Sequence, residues 1–107
     1  MKLNKEIEMI ADTISKAVPA EKIYLFGSYA YGTPHKNSDY DFFVVVPDGE
    51  IKPMEAMRKA RFAIFPLNLT NAVDVIANYK SDFEERKKQI SLEQIVDQQG
   101  VLLFERK

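Results

Sequence analysis

The chain has 107 residues, of which 46% are hydrophobic and 29% are charged, and its formal net charge is -1. These values are ordinary for a globular domain and argue against disorder, collagen-like repeats and a coiled coil. A long nucleic acid is not expected as a partner, because such partners attract clustered Lys and Arg in excess. We therefore expect a single domain over residues 1–107, built around one core.

Two features of the composition bear on location and on metal chemistry. No apolar run approaches the roughly 20 residues that span a bilayer, and the N-terminus carries Glu6, Glu8 and Asp12, unlike a signal peptide. This predicts a soluble, cytoplasmic protein that does not contact a membrane. Because the chain has no cysteine, a bound metal must rely on carboxylate oxygens, which favours magnesium or manganese.

The first third of the chain reads as a helix, a strand and a tight turn. Apolar residues at three- and four-residue steps predict an amphipathic helix over Leu3–Val18. Ile23–Phe26 is predicted to be a short buried strand that ends at Gly27. Ser28 is placed to cap a brief helical turn through Tyr31, so the order is strand, tight turn and helix start.

The middle of the chain predicts a second strand, a crossover helix and a third strand. A polar loop over residues 33–38 leads into a strand over Asp39–Val46, which a turn at residues 47–49 closes. Pro53 suits the first position of a helix that ends near Pro66. Ala72–Ala77 is rich in β-branched residues and predicts the third strand.

The last third of the chain predicts two short helices and a final strand. Ser81–Glu84 and Ser91–Gln94 both have the form of a capping box, and the second helix is expected to end at Gly100. Val101–Phe104 is predicted to add a last strand. The alternation predicts one α/β domain with a mixed β-sheet of about four strands and helices packed on it. The order of the strands cannot be read from this pattern.

Asp39 and Asp41 are the first candidates for chemistry. Side chains at i and i+2 of a strand share a face, so these two carboxylates are expected side by side. Two unit charges about 4 Å apart repel by roughly 4 kcal/mol near a protein surface, unless a cation or a proton intervenes. A solvated loop end is the alternative, but Asp41 shares its face with Phe43 and Val45, where a purely structural strand would be apolar.

Asp74 and the Gly27-Ser28 turn complete the candidate site. Asp74 stands among Val and Ile in a predicted strand, where Asp is disfavoured. The alternative to a functional role is that this is an edge strand and that Asp74 lies on its solvent-exposed face. Three carboxylates on two strands of one small sheet can converge around a cation. Gly27 would let a ligand approach the backbone, and the helix start after Ser28 favours phosphate, although a Gly-Ser turn alone is common.

The combined pattern resembles a known family. Gly27-Ser28, the ten-residue gap, Asp39-Tyr40-Asp41 and a later carboxylate at Asp74 resemble the nucleotidyltransferase domain of the DNA polymerase beta superfamily. The likeness is greatest to its minimal, single-domain members (the MNT type), which are often the antitoxin of a HEPN/MNT toxin–antitoxin pair. It covers nearly the whole chain, but Tyr31 stands where relatives often have Arg.

The resemblance implies a reaction and roles for the candidate residues. Gly27 and Ser28 would hold the phosphates of ATP or another nucleoside triphosphate, and Asp39 and Asp41 would bind two magnesium ions. Asp74 would complete one metal site and help to activate the attacking hydroxyl. The expected activity is transfer of AMP from ATP to a hydroxyl on a partner protein, with pyrophosphate released.

Other functions fit the same sequence. The chain has no room for the second domain that holds the substrate in larger relatives, so a HEPN-domain toxin or a second copy of the chain, in a homodimer, would supply the acceptor. The main alternative is a non-catalytic antitoxin that inhibits its partner by shielding it. Transfer to tRNA or to a small molecule is disfavoured by the near-neutral charge and the lack of an acceptor domain.

Overall fold

The computed structural model describes residues 4–35 and 38–107. Its elements, in chain order, are α1 (Lys5–Ala17), β1 (Lys22–Phe26), α2 (Ser28–Tyr31), β2 (Tyr40–Val46), α3 (Pro53–Ile64) with a 3₁₀ turn (Phe65–Leu67), β3 (Val73–Tyr79), α4 (Lys80–Arg86), α5 (Leu92–Gln99) and β4 (Val101–Glu105).

The four strands form one mixed sheet in the order β3-β2-β1-β4. β2 and β3 run parallel, which requires a crossover, and α3 supplies it. β1 is antiparallel to both of its neighbours, β2 and β4. The predicted α/β fold with a mixed four-stranded sheet is therefore confirmed, and so is the crossover role of α3.

Helices cover both faces of the sheet. On one face, α1 and α3 pack against each other and enclose the main core, to which the sheet contributes Leu25, Phe42 and Val75. On the other face, α4 and α5 cover a smaller core around Phe43 and Phe83. Alternate residues of β2 thus belong to different cores, which is why this strand is apolar after Asp41. Within the described ranges, no helix has the length and apolar character needed to cross a membrane.

The predicted element bounds differ from the observed ones by a few residues. α1 begins after Asn4, whose side chain accepts a hydrogen bond from the Ile7 amide at 2.8 Å; the predicted start at Leu3 lies outside the described residues. β2 begins at Tyr40, so Asp39 lies one residue before the strand. In the predicted polar loop, Lys36 and Asn37 also lie outside the described residues.

One predicted helix cap is confirmed and two are wrong. Ser91 caps α5, and its hydroxyl accepts from the Gln94 amide at 3.1 Å. Ser28 does not cap α2: Gly27 is the N-cap, because its positive φ of 77° turns the chain sharply and leaves Ser28 as the first helical residue. Ser81 lies inside α4, where its amide donates to a carboxylate oxygen of Asp48 at 3.0 Å.

Candidate active site

Asp41 and Asp74 are neighbours on adjacent strands. They are Cα partners in the parallel register of β2 and β3, so both side chains leave the sheet on the same face. Neighbouring strands lie about 4.8 Å apart, which brings the two carboxylates together at the end of the sheet where β2 and β3 begin. β3 is an edge strand, and Asp74 is exposed while Asp41 is half-buried.

The Gly27 turn lies directly against Asp41. Phe26, the last residue of β1, is the register partner of Asp41, and the chain then turns at Gly27. A Cβ atom at position 27 would lie 2.1 Å from Oδ2 of Asp41 and 3.0 Å from its Cγ. Only a residue without a side chain therefore fits between the turn and the carboxylate. The structure thus brings Gly27, Asp41 and Asp74 together.

The surroundings of Asp41 disfavour its charged form. Burial is the largest cause, and the negative charges of Asp74 and Asp39 add to it; together they raise the pKa of Asp41 from 3.8 to about 6. No cation in the described part of the chain is among the causes of this shift. A half-buried carboxylate with two acidic neighbours is a poor structural choice, and perturbed groups of this kind cluster at functional sites.

Asp39 lies one residue outside the strand that carries Asp41. It is exposed and precedes β2, yet its charge reaches Asp41. Among the described residues, no three His, Asp or Glu side chains form a ready-made set of ligands for one ion. Such a partial set fits magnesium, which usually takes one or two carboxylates from the protein and completes its octahedron with substrate phosphates and water.

A hydrogen-bond network behind the site was not predicted from the sequence. The Tyr40 hydroxyl, on the opposite face of β2 from Asp41, donates to Glu6 of α1 at 2.7 Å. The same carboxylate accepts from the hydroxyl of Thr70 at 2.7 Å and from its amide at 3.1 Å. These bonds, with that to the Tyr40 hydroxyl the largest cause, lower the pKa of Glu6. The partners are up to 64 residues apart, so no local pattern signals them.

A separate groove of about 990 Å³ lies at the opposite end of β2 and β3. The start of α3 lines it together with Tyr79 and the turn that follows β2. Its acidic residues are already paired: Glu50 lies 3.4 Å from Arg106, and Glu55 lies 3.7 Å from Arg58. The residues that line the groove thus include no unpaired set of acids like the one at Asp41 and Asp74, and the chemistry favours the carboxylate end.

Comparisons with known proteins identify the family of the chain. The chain belongs to the nucleotidyltransferase domain family, whose model matches residues 7–102. The predictions of this family and of a nucleotidyltransferase enzyme are therefore confirmed, and enzymes of this family use divalent metal ions. A 45-residue stretch is 49% identical to the protein adenylyltransferase MntA of Shewanella oneidensis; it covers 42% of this chain and 30% of that relative.

Solved structures share the fold over nearly the whole chain. A candidate nucleotidyltransferase from Sulfolobus solfataricus is 21% identical with a TM-score of 0.64, and the match covers 95% of this chain and 79% of that one. A toxin–antitoxin structure with AMP-PNP is 27% identical with a TM-score of 0.57, covering 97% and 76%. An MntA–HpeT toxin–antitoxin structure, with two of its aspartates replaced by glutamate, is 22% identical with a TM-score of 0.56, covering 98% and 75%.

Proposed function

We propose that this nucleotidyltransferase transfers AMP from ATP to a hydroxyl group on a partner protein. The partner we propose is a toxin with a HEPN domain, which the modification silences, so that the chain acts as the antitoxin of the pair. A cytoplasmic location is part of the same proposal.

One observation carries the catalytic part of the proposal. The register of β2 and β3 sets Asp41 beside Asp74, and the Gly27 turn lies against the same carboxylate. Phosphate groups held at this turn would reach the acidic pair directly. The crowded acids alone would disfavour folding, whereas a divalent cation between them and a triphosphate would offset their repulsion.

The residues of the site fit a divalent metal. We assign Asp39, Asp41 and Asp74 as the protein ligands of two such ions, with Mg²⁺ as the expected ion and Mn²⁺ as a substitute. The metal would polarise the α-phosphate and neutralise charge that develops on the leaving pyrophosphate. Gly27 and Ser28 would hold the phosphates: the glycine allows close approach of the backbone, and the serine offers a hydroxyl donor.

The reaction is an in-line displacement at the α-phosphorus of ATP. The oxygen of the acceptor hydroxyl forms a bond to phosphorus while the bond from phosphorus to the bridging oxygen of the β-phosphate breaks, and pyrophosphate leaves. Asp74 accepts the proton of the hydroxyl as it attacks. Its exposure on an edge strand leaves it open to an acceptor that arrives from outside the chain. The protein's main contribution is to hold the reactants in line.

The partner is inferred from the relatives. MntA, 49% identical over 45 residues, is named as a protein adenylyltransferase, and a structure 27% identical to this chain is that of a toxin–antitoxin pair with AMP-PNP. The matched stretch covers only 30% of that MntA, so the substrate and the partner of the present chain are proposed and not taken over from it. A second copy of this chain is the other source of an acceptor hydroxyl.

The test is incubation with ATP labelled at the α-phosphate, Mg²⁺ and the product of the adjacent reading frame. We expect label on the partner protein, released as 5′-AMP by phosphodiesterase, and no label when Asp41→Asn replaces the wild-type chain. Label on the chain itself, with the partner unlabelled, would identify a second copy as the acceptor. A partner that binds the chain but takes no label would contradict the transfer and favour inhibition by shielding.

A further inference from the structure

A single side chain connects the three segments that carry the site. Asn71 lies between the 3₁₀ turn and β3, three residues before Asp74. Its Nδ2 donates to the Ser38 carbonyl oxygen at 2.7 Å and to the Tyr29 hydroxyl at 3.1 Å. Its Oδ1 lies 2.8 Å from the hydroxyl oxygen of Thr70.

Ser38 and Tyr29, which accept from the Asn71 NH₂ group, are each next to a site residue in the chain. Ser38 directly precedes Asp39, and Tyr29 directly follows Ser28. Asn71 itself begins the segment that delivers Asp74. The amide therefore ties the Asp39 segment and the Gly27 turn to the strand of Asp74, across sequence separations of 33 and 42 residues.

The orientation of the Asn71 side chain is determined by its surroundings. A carbonyl oxygen such as that of Ser38 can only accept, so the NH₂ group must face it. On the other side, Thr70 is held by Glu6, which accepts from both its hydroxyl and its amide. The ring of Tyr29 also packs edge-to-face on Tyr40, with 4.8 Å between ring centroids. Asn71 thus connects elements that are themselves held in place.

We propose that Asn71 is a positioning residue, which sets the distance between the phosphate-binding turn and the metal-binding carboxylates through its bonds to Ser38 and Tyr29. The inference rests on the proposed function of the site. A displacement of about 1 Å between a nucleotide and its catalytic groups can reduce a rate on the order of 100-fold. Loss of a side chain that orients metal ligands typically costs about 10- to 100-fold in metal affinity or activity.

The test compares Asn71→Ala with Asn78→Ala. Asn78 is the same residue type on the far half of β3, where it donates to Glu93 of α5 at 3.2 Å. We expect Asn71→Ala to lower kcat about 10- to 100-fold and to raise the Mg²⁺ concentration needed for half-maximal rate. Asn78→Ala should lose melting temperature to a similar degree but keep both kinetic values within about two-fold. Equal kinetic effects in the two variants would overturn the inference.

A second variant covers the case in which Asn71→Ala does not fold. Tyr29→Phe removes one acceptor of the Asn71 amide and keeps the ring packing, so it should move kcat and the Mg²⁺ requirement a few-fold in the same directions. If Tyr29→Phe leaves both unchanged while Asn71→Ala is unfolded, the inference is wrong.

Calorimetry with MgATP separates failure of this inference from failure of the proposed function. A wild-type chain that binds MgATP without labelling a partner would contradict the transfer, and Asn71 would then be judged by its effect on MgATP affinity. MgATP affinity and kcat both unchanged in Asn71→Ala would overturn the positioning role while leaving the transfer intact. A wild-type chain that neither transfers AMP nor binds MgATP would overturn both.

Discussion

Asp41 is the residue at which folding and proposed function conflict most clearly. Its carboxyl group is half-buried, lies next to Asp74 and has a pKa raised to about 6. Between about pH 4 and pH 6 the folded chain therefore binds more protons than the unfolded chain, and the free energy of unfolding falls as the pH rises across this window. Above pH 6 the metal-free protein carries the full unfavourable charge.

The substitution Asp41→Asn tests this conflict. We expect it to abolish AMP transfer and to stabilise the metal-free fold by on the order of 1 kcal/mol above pH 6, a value reduced for solvent screening. Below pH 4 the wild type is itself protonated, so the gain should disappear. Urea unfolding of both proteins with EDTA at pH 3.5 and pH 8 measures the difference. A marked loss of stability at pH 8 would instead make Asp41 a structural residue.

Gly27 is the second residue at which the site restricts the sequence. The substitution Gly27→Ala places a Cβ in a left-handed conformation and against the Asp41 carboxylate, so we expect a loss of about 1–3 kcal/mol in stability and loss of transfer. Gly49 is a matched control because its φ is also positive, at 84°, while a Cβ there meets nothing within 4 Å. If Gly49→Ala impairs transfer as much as Gly27→Ala, contact with Asp41 is not the cause.

At the residue scale, the sequence marks candidate site residues where the signal is local. Asp41 and Asp74 stand out because a carboxylate interrupts an apolar strand, and Gly27 because it ends a strand within a recognisable spacing. The roles of Asn71 and Glu6 could not be predicted, since the bonds that tie them to other elements join residues more than 30 positions apart. An asparagine before a strand has the same local appearance as any turn residue.

The elements show the same contrast between local and distant contacts. Ser91 caps α5 from within its own segment, and this was predictable. Ser81 has the same sequence signature, but Asp48 approaches from the turn after β2, 33 residues away, and binds its amide and hydroxyl. These bonds, the one to the hydroxyl first, lower the pKa of Asp48. A capping-box pattern cannot exclude a cap supplied by a distant carboxylate.

Glu93 joins α5 to the rest of the fold. It is buried at 6% exposure, and it accepts from Asn78 of β3 at 3.2 Å and from Arg86 of α4 at 3.1 Å. Burial opposes the ionised carboxylate, but these bonds and its own backbone amide prevail and lower the pKa of Glu93. Its stabilising effect is therefore present at neutral pH and lost as the pH falls below about 4.5.

The substitution Glu93→Ala should destabilise the fold without touching the site. We expect a loss of about 2–3 kcal/mol in the free energy of unfolding at pH 7, because the half-buried Asn78 amide loses its acceptor and the charge-assisted bond to Arg86 is removed. Glu84→Ala is the control: Glu84 pairs with Lys87 at 2.9 Å near the surface, and its loss should cost less than about 1 kcal/mol. Equal losses in the two variants would contradict a special role for the buried carboxylate.

At the scale of the whole molecule, the sequence predicted the class of fold but not its topology. Alternating helices and strands indicated an α/β sheet, yet the order β3-β2-β1-β4 depends on which strand edges meet, and side-chain periodicity does not encode this. The topology matters for function because β2 and β3 must be parallel neighbours for Asp41 to face Asp74. The predicted crossover helix implied that these two strands run parallel, but nothing in the sequence showed that they are direct neighbours.

The topology also separates two possible binding regions. The carboxylates lie where β2 and β3 begin, and the 990 Å³ groove lies where these strands end.

The most direct test of a metal–nucleotide site at the carboxylates is an NMR titration with Mn²⁺ and a non-hydrolysable ATP analogue, read as paramagnetic broadening of backbone amides. We predict that the amides of Gly27, Asp41 and Asp74 broaden first and together. Broadening that begins around the groove, at Gly49 and Tyr79, would contradict a metal–nucleotide site at the carboxylates.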